Sequence, residues 1–129
     1  MDNNLLLAKP VLTELYAQIE DYMQSLEPET PHPRLDVIMV GDNPASASYV
    51  NRKLELCEKF GIQTKLHHFE ELSHTHLIQL IKELNQDHFV SGILVQLPLP
   101  ANIFVPEVIK AIDPRKDVDG FHAYNLGKL

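Results

Sequence analysis

Three polar features of the sequence could hydrogen-bond a ligand or exchange protons with it. Tyr49 and Lys53 are four residues apart, so a helix would place a phenol and an ammonium group on one face. Gln96 interrupts an apolar run with an amide, and Asp117 and Asp119 flank a single valine. These side chains are the first candidates for a functional site.

Each feature also has a purely structural explanation. Tyr49 and Lys53 could be an amphipathic pair at an ordinary surface. Gln96 could satisfy backbone groups at the end of a strand, and the two aspartates could form a turn. Spacing alone leaves both explanations open.

The elements that must position these residues follow from the apolar pattern. Helices are predicted at Pro10–Leu26, at about Ala45–Phe60 with Gly61 as terminator, after Ser73 as N-cap, and at Pro106–Ile112. Strands are predicted at Leu35–Val40, Ile62–Phe69 and Val90–Leu97. This alternation predicts an α/β fold, a three-layer α-β-α domain with a mostly parallel sheet. The predicted domain spans residues 1–129.

The predicted topology brings the polar features to one place. Ligands of open parallel sheets bind beyond the carboxyl ends of the strands. The helix with Tyr49 and Lys53 follows the first strand, Gln96 ends the last strand, and Asp117 and Asp119 follow the last helix. We therefore expect all of them at the carboxyl edge of the sheet.

Composition limits the classes of function. The 129 residues, 44% hydrophobic and 22% charged, suit one packed domain, and a net charge of −7 argues against a nucleic acid or an anionic membrane as partner. No apolar run approaches the roughly 20 residues of a membrane span, and the first residues do not resemble a secretory signal. We expect a soluble cytoplasmic protein.

Metal, thiol and dinucleotide sites are not expected in this chain. The pairs His67-His68 and His74-x-His76 lack metal-ligand spacing, so surface or packing roles are predicted for them. Cys57, the single cysteine, is interpreted as a small core residue. The five glycines include no G-x-G-x-x-G pattern, so no cofactor-binding residues are predicted.

Three segments resemble signatures of the methylenetetrahydrofolate dehydrogenase/cyclohydrolase family. They are Val40-Gly41-Asp42-Asn43-Pro44-Ala45-Ser46 continuing to Tyr49-Val50-x-x-Lys53, Gly92-Ile93-Leu94-Val95-Gln96-Leu97-Pro98-Leu99-Pro100, and Lys116-Asp117-Val118-Asp119-Gly120-Phe121-His122. In combination these motifs are highly specific. The resemblance covers residues 35–129 well and the first predicted helix loosely.

The resemblance implies a role for each polar feature. Lys53 would be the general acid/base of the hydrolytic step, Tyr49 would stack against the folate, and Gln96 would hydrogen-bond Lys53. Asp119 would accept hydrogen bonds from the pterin. We expect Lys53 to be partly buried in a cleft beside Gln96 and Tyr49, since desolvation makes a lysine ammonium a better proton donor. The implied substrate contacts are Tyr49, Lys53, Gln96, Leu97, Pro98 and Asp119.

The resemblance also implies partners. The substrates would be 5,10-methylene- and 5,10-methenyltetrahydrofolate, and NADP would be bound by a second domain that this chain lacks, so the chain alone is expected to have no dehydrogenase activity. A homodimer is expected for the longer enzyme. Two alternatives stay open: a non-catalytic folate-binding or dimerisation module, and an unrelated α/β protein with a fortuitous polar edge.

Overall fold

The computed structural model describes Ala17 and residues 34–118, which form three strands and three helices. In chain order the elements are β1 (Arg34–Val40), α1 (Pro44–Lys59), β2 (Gln63–Phe69), α2 (His74–Gln86), β3 (Gly92–Val95) and α3 (Val105–Ala111). The helix predicted at Pro10–Leu26 lies outside the described residues apart from Ala17, which is helical.

The sheet is parallel and has the order β2-β1-β3. Leu35 lies opposite Thr64 of β2 and opposite Gly92 of β3. β1 is therefore the central strand, and its residues from Leu35 to Val40 are all buried. The prediction of a parallel α/β fold is confirmed.

Two hydrophobic clusters cover the opposite faces of β1, because successive side chains of a strand point to opposite sides. Ile38 and Val40 belong to the cluster that includes Leu77 and Ile81 of α2 and Val108 of α3. The cluster on the other face contains Leu35, Val37, Met39, Val50, Cys57, Ile62 and Leu94. The layers are thus α1, the sheet, and α2 with α3.

Local capping chemistry sets the helix ends close to the predicted positions. Asn43 precedes α1, and its Oδ1 accepts hydrogen bonds from the N–H groups of Ala45 (2.9 Å) and Ser46 (3.2 Å). Gly61 follows the C-cap of α1 with φ = 74°, a left-handed conformation that glycine adopts without steric cost. Ser73 caps α2, as predicted, by accepting from the N–H of His76 at 3.1 Å.

The third strand is shorter than predicted. Sequence analysis placed it at Val90–Leu97, whereas β3 contains only Gly92–Val95. The ladder with β1 ends at the pair Ile38 and Val95, and Pro98 has no N–H to extend it. The residues of the apolar run after Val95 lie in the loop that follows β3.

No helix in residues 34–118 is long and apolar enough to cross a membrane.

Candidate functional site

Lys53 and Gln96 meet beyond the carboxyl ends of β1 and β3. Lys53 is in α1, which starts four residues after β1 ends, and Gln96 directly follows β3. The Lys53 Nζ donates a hydrogen bond to Gln96 Oε1 at 3.2 Å. Lys53 is half-buried and Gln96 is only 8% exposed, so this contact is partly shielded from solvent.

Hydrogen bonds from both the side chain and the backbone of Gln96 fix the orientation of its amide group. Its Nε2 donates to the Leu97 carbonyl oxygen at 2.9 Å, and its backbone N–H donates to the Ile38 carbonyl oxygen at 2.9 Å. With the NH₂ group used in this way, Oε1 is left to accept from Lys53, which has no acceptor atom of its own. The amide therefore presents a defined acceptor to the lysine.

Ser46 is a member of this site that sequence analysis missed. It is 2% exposed, and its Oγ donates to the same Leu97 carbonyl oxygen at 3.4 Å. Ser46, Val50 and Cys57 form the buried stripe of α1. A serine on the apolar side of a predicted helix needs a buried partner, and this was the signal that could have revealed it.

Tyr49 lies one helical turn before Lys53, and 46% of it is exposed. Its ring is therefore accessible on the same side of α1 as the lysine. Leu97 is half-buried, Pro98 is exposed, and the peptide bond between them is cis.

Asp117, which was expected at the carboxyl edge, instead forms a parallel bridge with Ile93 near the amino end of β3. Asp119 lies outside the described residues.

The loop that leads into α1 is held by β2. Gly41 donates its N–H to the Phe69 carbonyl oxygen at 2.8 Å, and its own carbonyl oxygen accepts from His68 Nε2 at 2.9 Å. Gly41 has φ = 97°, which disfavours any residue with a Cβ. The start of the helix that carries Tyr49 and Lys53 is thus fixed to the sheet.

A second polar cluster, also missed by sequence analysis, lies nearer the amino ends of the strands. Asp36 is 0% exposed, and its carboxylate accepts from Arg34 Nε at 2.8 Å and from His67 Nε2 at 2.7 Å. Because a carboxylate only accepts hydrogen bonds, Nε2 of His67 carries the proton. Arg34 also pairs with Asp87 at 3.4 Å. His67 thus binds a buried acid, a contact that the surface or packing roles predicted for the histidines did not include.

Cys57 is 1% exposed within the core, as predicted, and burial raises the pKa of its thiol to about 11. The thiol is therefore protonated near neutral pH and poorly suited to nucleophilic attack. Among residues 34–118, no group of three or more His, Cys, Asp and Glu side chains is arranged to hold a metal ion.

The turn between β1 and α1 does not fit the pyrophosphate of a dinucleotide. Such a site needs a glycine-rich turn and free N–H groups at a helix N-terminus. The turn between β1 and α1 contains one glycine, and Asn43 already accepts from the N–H groups of Ala45, Ser46 and Ala47. This turn therefore lacks the features that hold a dinucleotide.

Known proteins share the sequence pattern and the fold of this chain. The family model for the tetrahydrofolate dehydrogenase/cyclohydrolase catalytic domain matches residues 6–119. A curated relative, the bifunctional protein FolD of Sulfurihydrogenibium sp. (strain YO3AOP1), is 46% identical over 124 residues, which covers 95% of this chain and 42% of that protein. This chain therefore spans less than half the length of that relative.

Solved structures show the same fold. FolD methylenetetrahydrofolate dehydrogenase/cyclohydrolase from Campylobacter jejuni has a TM-score of 0.73 and 40% identity, over 95% of this chain and 42% of that one. The Trypanosoma brucei enzyme, solved with NADP and an inhibitor, has a TM-score of 0.73 at 24% identity, over 90% of this chain and 40% of that one. The chain belongs to the tetrahydrofolate dehydrogenase/cyclohydrolase family, to whose catalytic domain its residues 6–119 correspond.

Proposed function

We propose that this chain is the folate-binding catalytic domain of an enzyme with two consecutive activities. The first oxidises 5,10-methylenetetrahydrofolate to 5,10-methenyltetrahydrofolate with NADP. The second hydrolyses the methenyl compound to 10-formyltetrahydrofolate. Family membership supports both, and the observation that carries the proposal is the partly shielded hydrogen bond from Lys53 to Gln96 at the carboxyl edge of the sheet.

Lys53 is the general acid/base of the hydrolytic step. A water oxygen bonds to the methenyl carbon and loses one proton to give a hydroxyl adduct. The bond from that carbon to N5 then breaks, N5 gains a proton, and the hydroxyl loses its proton to become the carbonyl of the formyl group on N10. Because the methenyl compound is a cation, one proton is released overall. One group must take a proton from the water and return one to N5, and an amine held next to the folate can do both. Gln96 supports this role because its oriented Oε1 limits where the Lys53 Nζ can lie.

The other residues bind the folate. Tyr49 stacks against its pterin and aminobenzoate region, which its exposed ring allows. Leu97 and Pro98 border the same site through the loop that follows Gln96. Asp119 accepts hydrogen bonds from the amino group and ring N–H of the pterin.

NADP and a partner subunit belong to the longer enzyme in this proposal. Because the turn between β1 and α1 does not fit a dinucleotide, we propose that hydride transfer uses a second domain that binds NADP. Residues 1–129 alone should therefore show no NADP-dependent oxidation of methylenetetrahydrofolate. A homodimer is proposed for the longer enzyme, and light scattering during gel filtration would measure it.

The test of the proposal compares two lysines of α1. Lys53→Met removes the ammonium but keeps the length of the side chain, and Lys59→Met makes the same change at an exposed residue in the last turn. Hydrolysis is followed by the loss of methenyl absorbance, and binding by titration with tetrahydrofolate. Lys53→Met should lower the hydrolysis rate about 10²–10⁴-fold with little change in the Kd, because general acid–base catalysis has that magnitude.

Three outcomes would contradict the proposal. Equal rates in Lys53→Met and Lys59→Met would remove Lys53 from the chemistry. A parent protein that binds tetrahydrofolate but hydrolyses nothing would favour the non-catalytic binding module. Absence of tetrahydrofolate binding by the parent protein would refute the folate site altogether.

A further inference from the structure

Lys116 makes an unusually complete set of contacts for a lysine. Its Nζ donates to the carbonyl oxygens of Leu84, Asn85 and Asp87, each at 2.9 Å. An ammonium group has three donors, so all of them are used by backbone oxygens. The three acceptors come from the last turn of α2 and the residue just after it. Two of them also accept from the backbone, Leu84 from the Asp87 N–H at 3.3 Å and Asp87 from the Val90 N–H at 3.0 Å.

The surroundings favour a positive charge at this end of α2. The carbonyl end of a helix carries a partial negative charge, and an ammonium group there is stabilised. α2 has no basic residue of its own in its last turn, so Lys116 supplies the cation from a distant part of the chain. Burial lowers the pKa of Lys116, while nearby Asp113 and Asp87 oppose that shift. Lys116 is therefore a partly desolvated internal contact and not a surface lysine.

The backbone of Lys116 is held as firmly as its side chain. Its N–H donates to the Asp113 carbonyl oxygen at 2.8 Å, and its carbonyl oxygen accepts from the Ile93 N–H at 2.7 Å. Asp117 then forms a parallel bridge with Ile93, and Val118 packs against the cluster on the α1 face of the sheet. Lys116 thus joins α2 to a segment that starts to run beside β3.

We propose that Lys116 is a positioning residue, which locks the segment after α3 to the end of α2 and thereby sets folate affinity through Asp119. The second half of this statement rests on the proposed function, in which Asp119 binds the pterin. Lys116 and Asp119 are three residues apart in the sequence, and three residues of chain span at most about 10 Å, so an anchor and a ligand contact this close along the chain can be coupled. A lysine that only capped α2 would contribute to stability without this effect on affinity.

The experiment combines a local structural measurement with a double-mutant cycle. Lys116→Met removes the three hydrogen bonds and keeps the alkyl chain, and Lys82→Met removes the same charge from the exposed face of α2. Amide hydrogen exchange is measured at Ile93, with Val37 in β1 as reference. Titration with tetrahydrofolate gives the Kd of the parent, Lys116→Met, Asp119→Ala and the double variant.

The expected results are specific to an anchored segment. Lys116→Met should speed exchange at Ile93 but not at Val37, and should weaken tetrahydrofolate binding about tenfold, a coupling typical of residues in one network. In the Asp119→Ala background the same change should alter the Kd less than about threefold, since the coupling passes through Asp119. Lys82→Met should change neither measurement.

Several results would overturn the inference. Unchanged exchange at Ile93 would mean that Lys116 does not hold the segment. Two results would remove the link to the ligand. One is that Lys116→Met weakens tetrahydrofolate binding equally in the parent and in the Asp119→Ala background. The other is that Asp119→Ala weakens binding but Lys116→Met does not. If the parent does not bind tetrahydrofolate, the proposed function and the link to the ligand both fail, and exchange at Ile93 still decides the anchoring role. Should Lys116→Met not fold, Lys116→Gln is judged by the same criteria.

Discussion

The buried acid Asp36 is expected to be one of the most sensitive positions of the fold. Its carboxylate is fully buried and is held by Arg34 at 2.8 Å and by His67 at 2.7 Å. Replacing one member of a buried charged network leaves its partners without compensation, at a typical cost of about 3–5 kcal/mol. The perturbation chosen is Asp36→Ala.

The partners decide where in that range the cost falls. The side chains of Arg34 and His67 are 23% and 13% exposed, so both can recover some hydration. Arg34 also keeps its weaker contact with Asp87 at 3.4 Å. We therefore expect a loss of about 3 kcal/mol, at the lower end of the range. Asp36→Asn, which keeps an acceptor for Arg34 but not the charge, should lose about 2 kcal/mol.

The assay is equilibrium unfolding in urea, with the free energy taken from the midpoint and the slope. Asp87→Ala is the control for the exposed part of the cluster, because its side chain is 37% exposed and its bond to Arg34 is long. This variant also removes an exposed hydrogen bond from the Phe89 N–H to the Asp87 carboxylate. An exposed pair of this kind contributes about 0–1 kcal/mol. A loss below about 1 kcal/mol for Asp36→Ala, or an equal loss for Asp87→Ala, would refute the claim that the buried carboxylate organises the cluster.

Three further predictions concern single residues of α1 and its ends. Burial raises the pKa of the Cys57 thiol from 9.0 to about 11. The contribution of the protonated thiol to the free energy of unfolding should therefore be complete below pH 9 and should fall between pH 9 and about pH 11, by up to about 1.4 kcal/mol per pH unit. Urea unfolding at several pH values should show this decrease in the parent and not in Cys57→Ala. Gly61→Ala should cost about 1–2 kcal/mol and lower the Tm, since φ is 74° and no neighbouring atom would clash; an unchanged Tm, as expected for Glu58→Ala, would contradict the strain argument. Ser46→Ala should lower kcat of methenyl hydrolysis with stability reduced by no more than about 1.5 kcal/mol, and the exposed Ser48→Ala should leave both unchanged.

The elements of the fold between residues 34 and 118 could be predicted because local patterns specify them. The β-branched run of β1, the Asn43 and Ser73 caps and the glycine after α1 each act within a few residues. These signals placed the helix and strand ends within one residue, except in β3, which is two residues shorter at each end than predicted. β3 was the exception, since the point where a ladder stops depends on its partner strand and not on its own apolar run.

The candidate site could be predicted only in part. The pairing of Lys53 with Gln96 was anticipated from the resemblance, and the hydrogen bond between them is present. Ser46 was missed because its partner, the Leu97 carbonyl oxygen, is 51 residues away. Their catalytic and binding roles stay predictions until the variants are measured.

The sequence by itself determined the order of helices and strands, the burial of β1 and the family, because periodicity, caps and short motifs are local properties. Only the tertiary structure decided which polar groups meet. Asp36 in β1 finds His67 in β2 because the parallel register sets these strands side by side. Lys116 reaches the end of α2 because the chain returns to β3 after α3. Such contacts depend on how distant segments pack, and a polar residue in the sequence does not indicate which buried partner it will have.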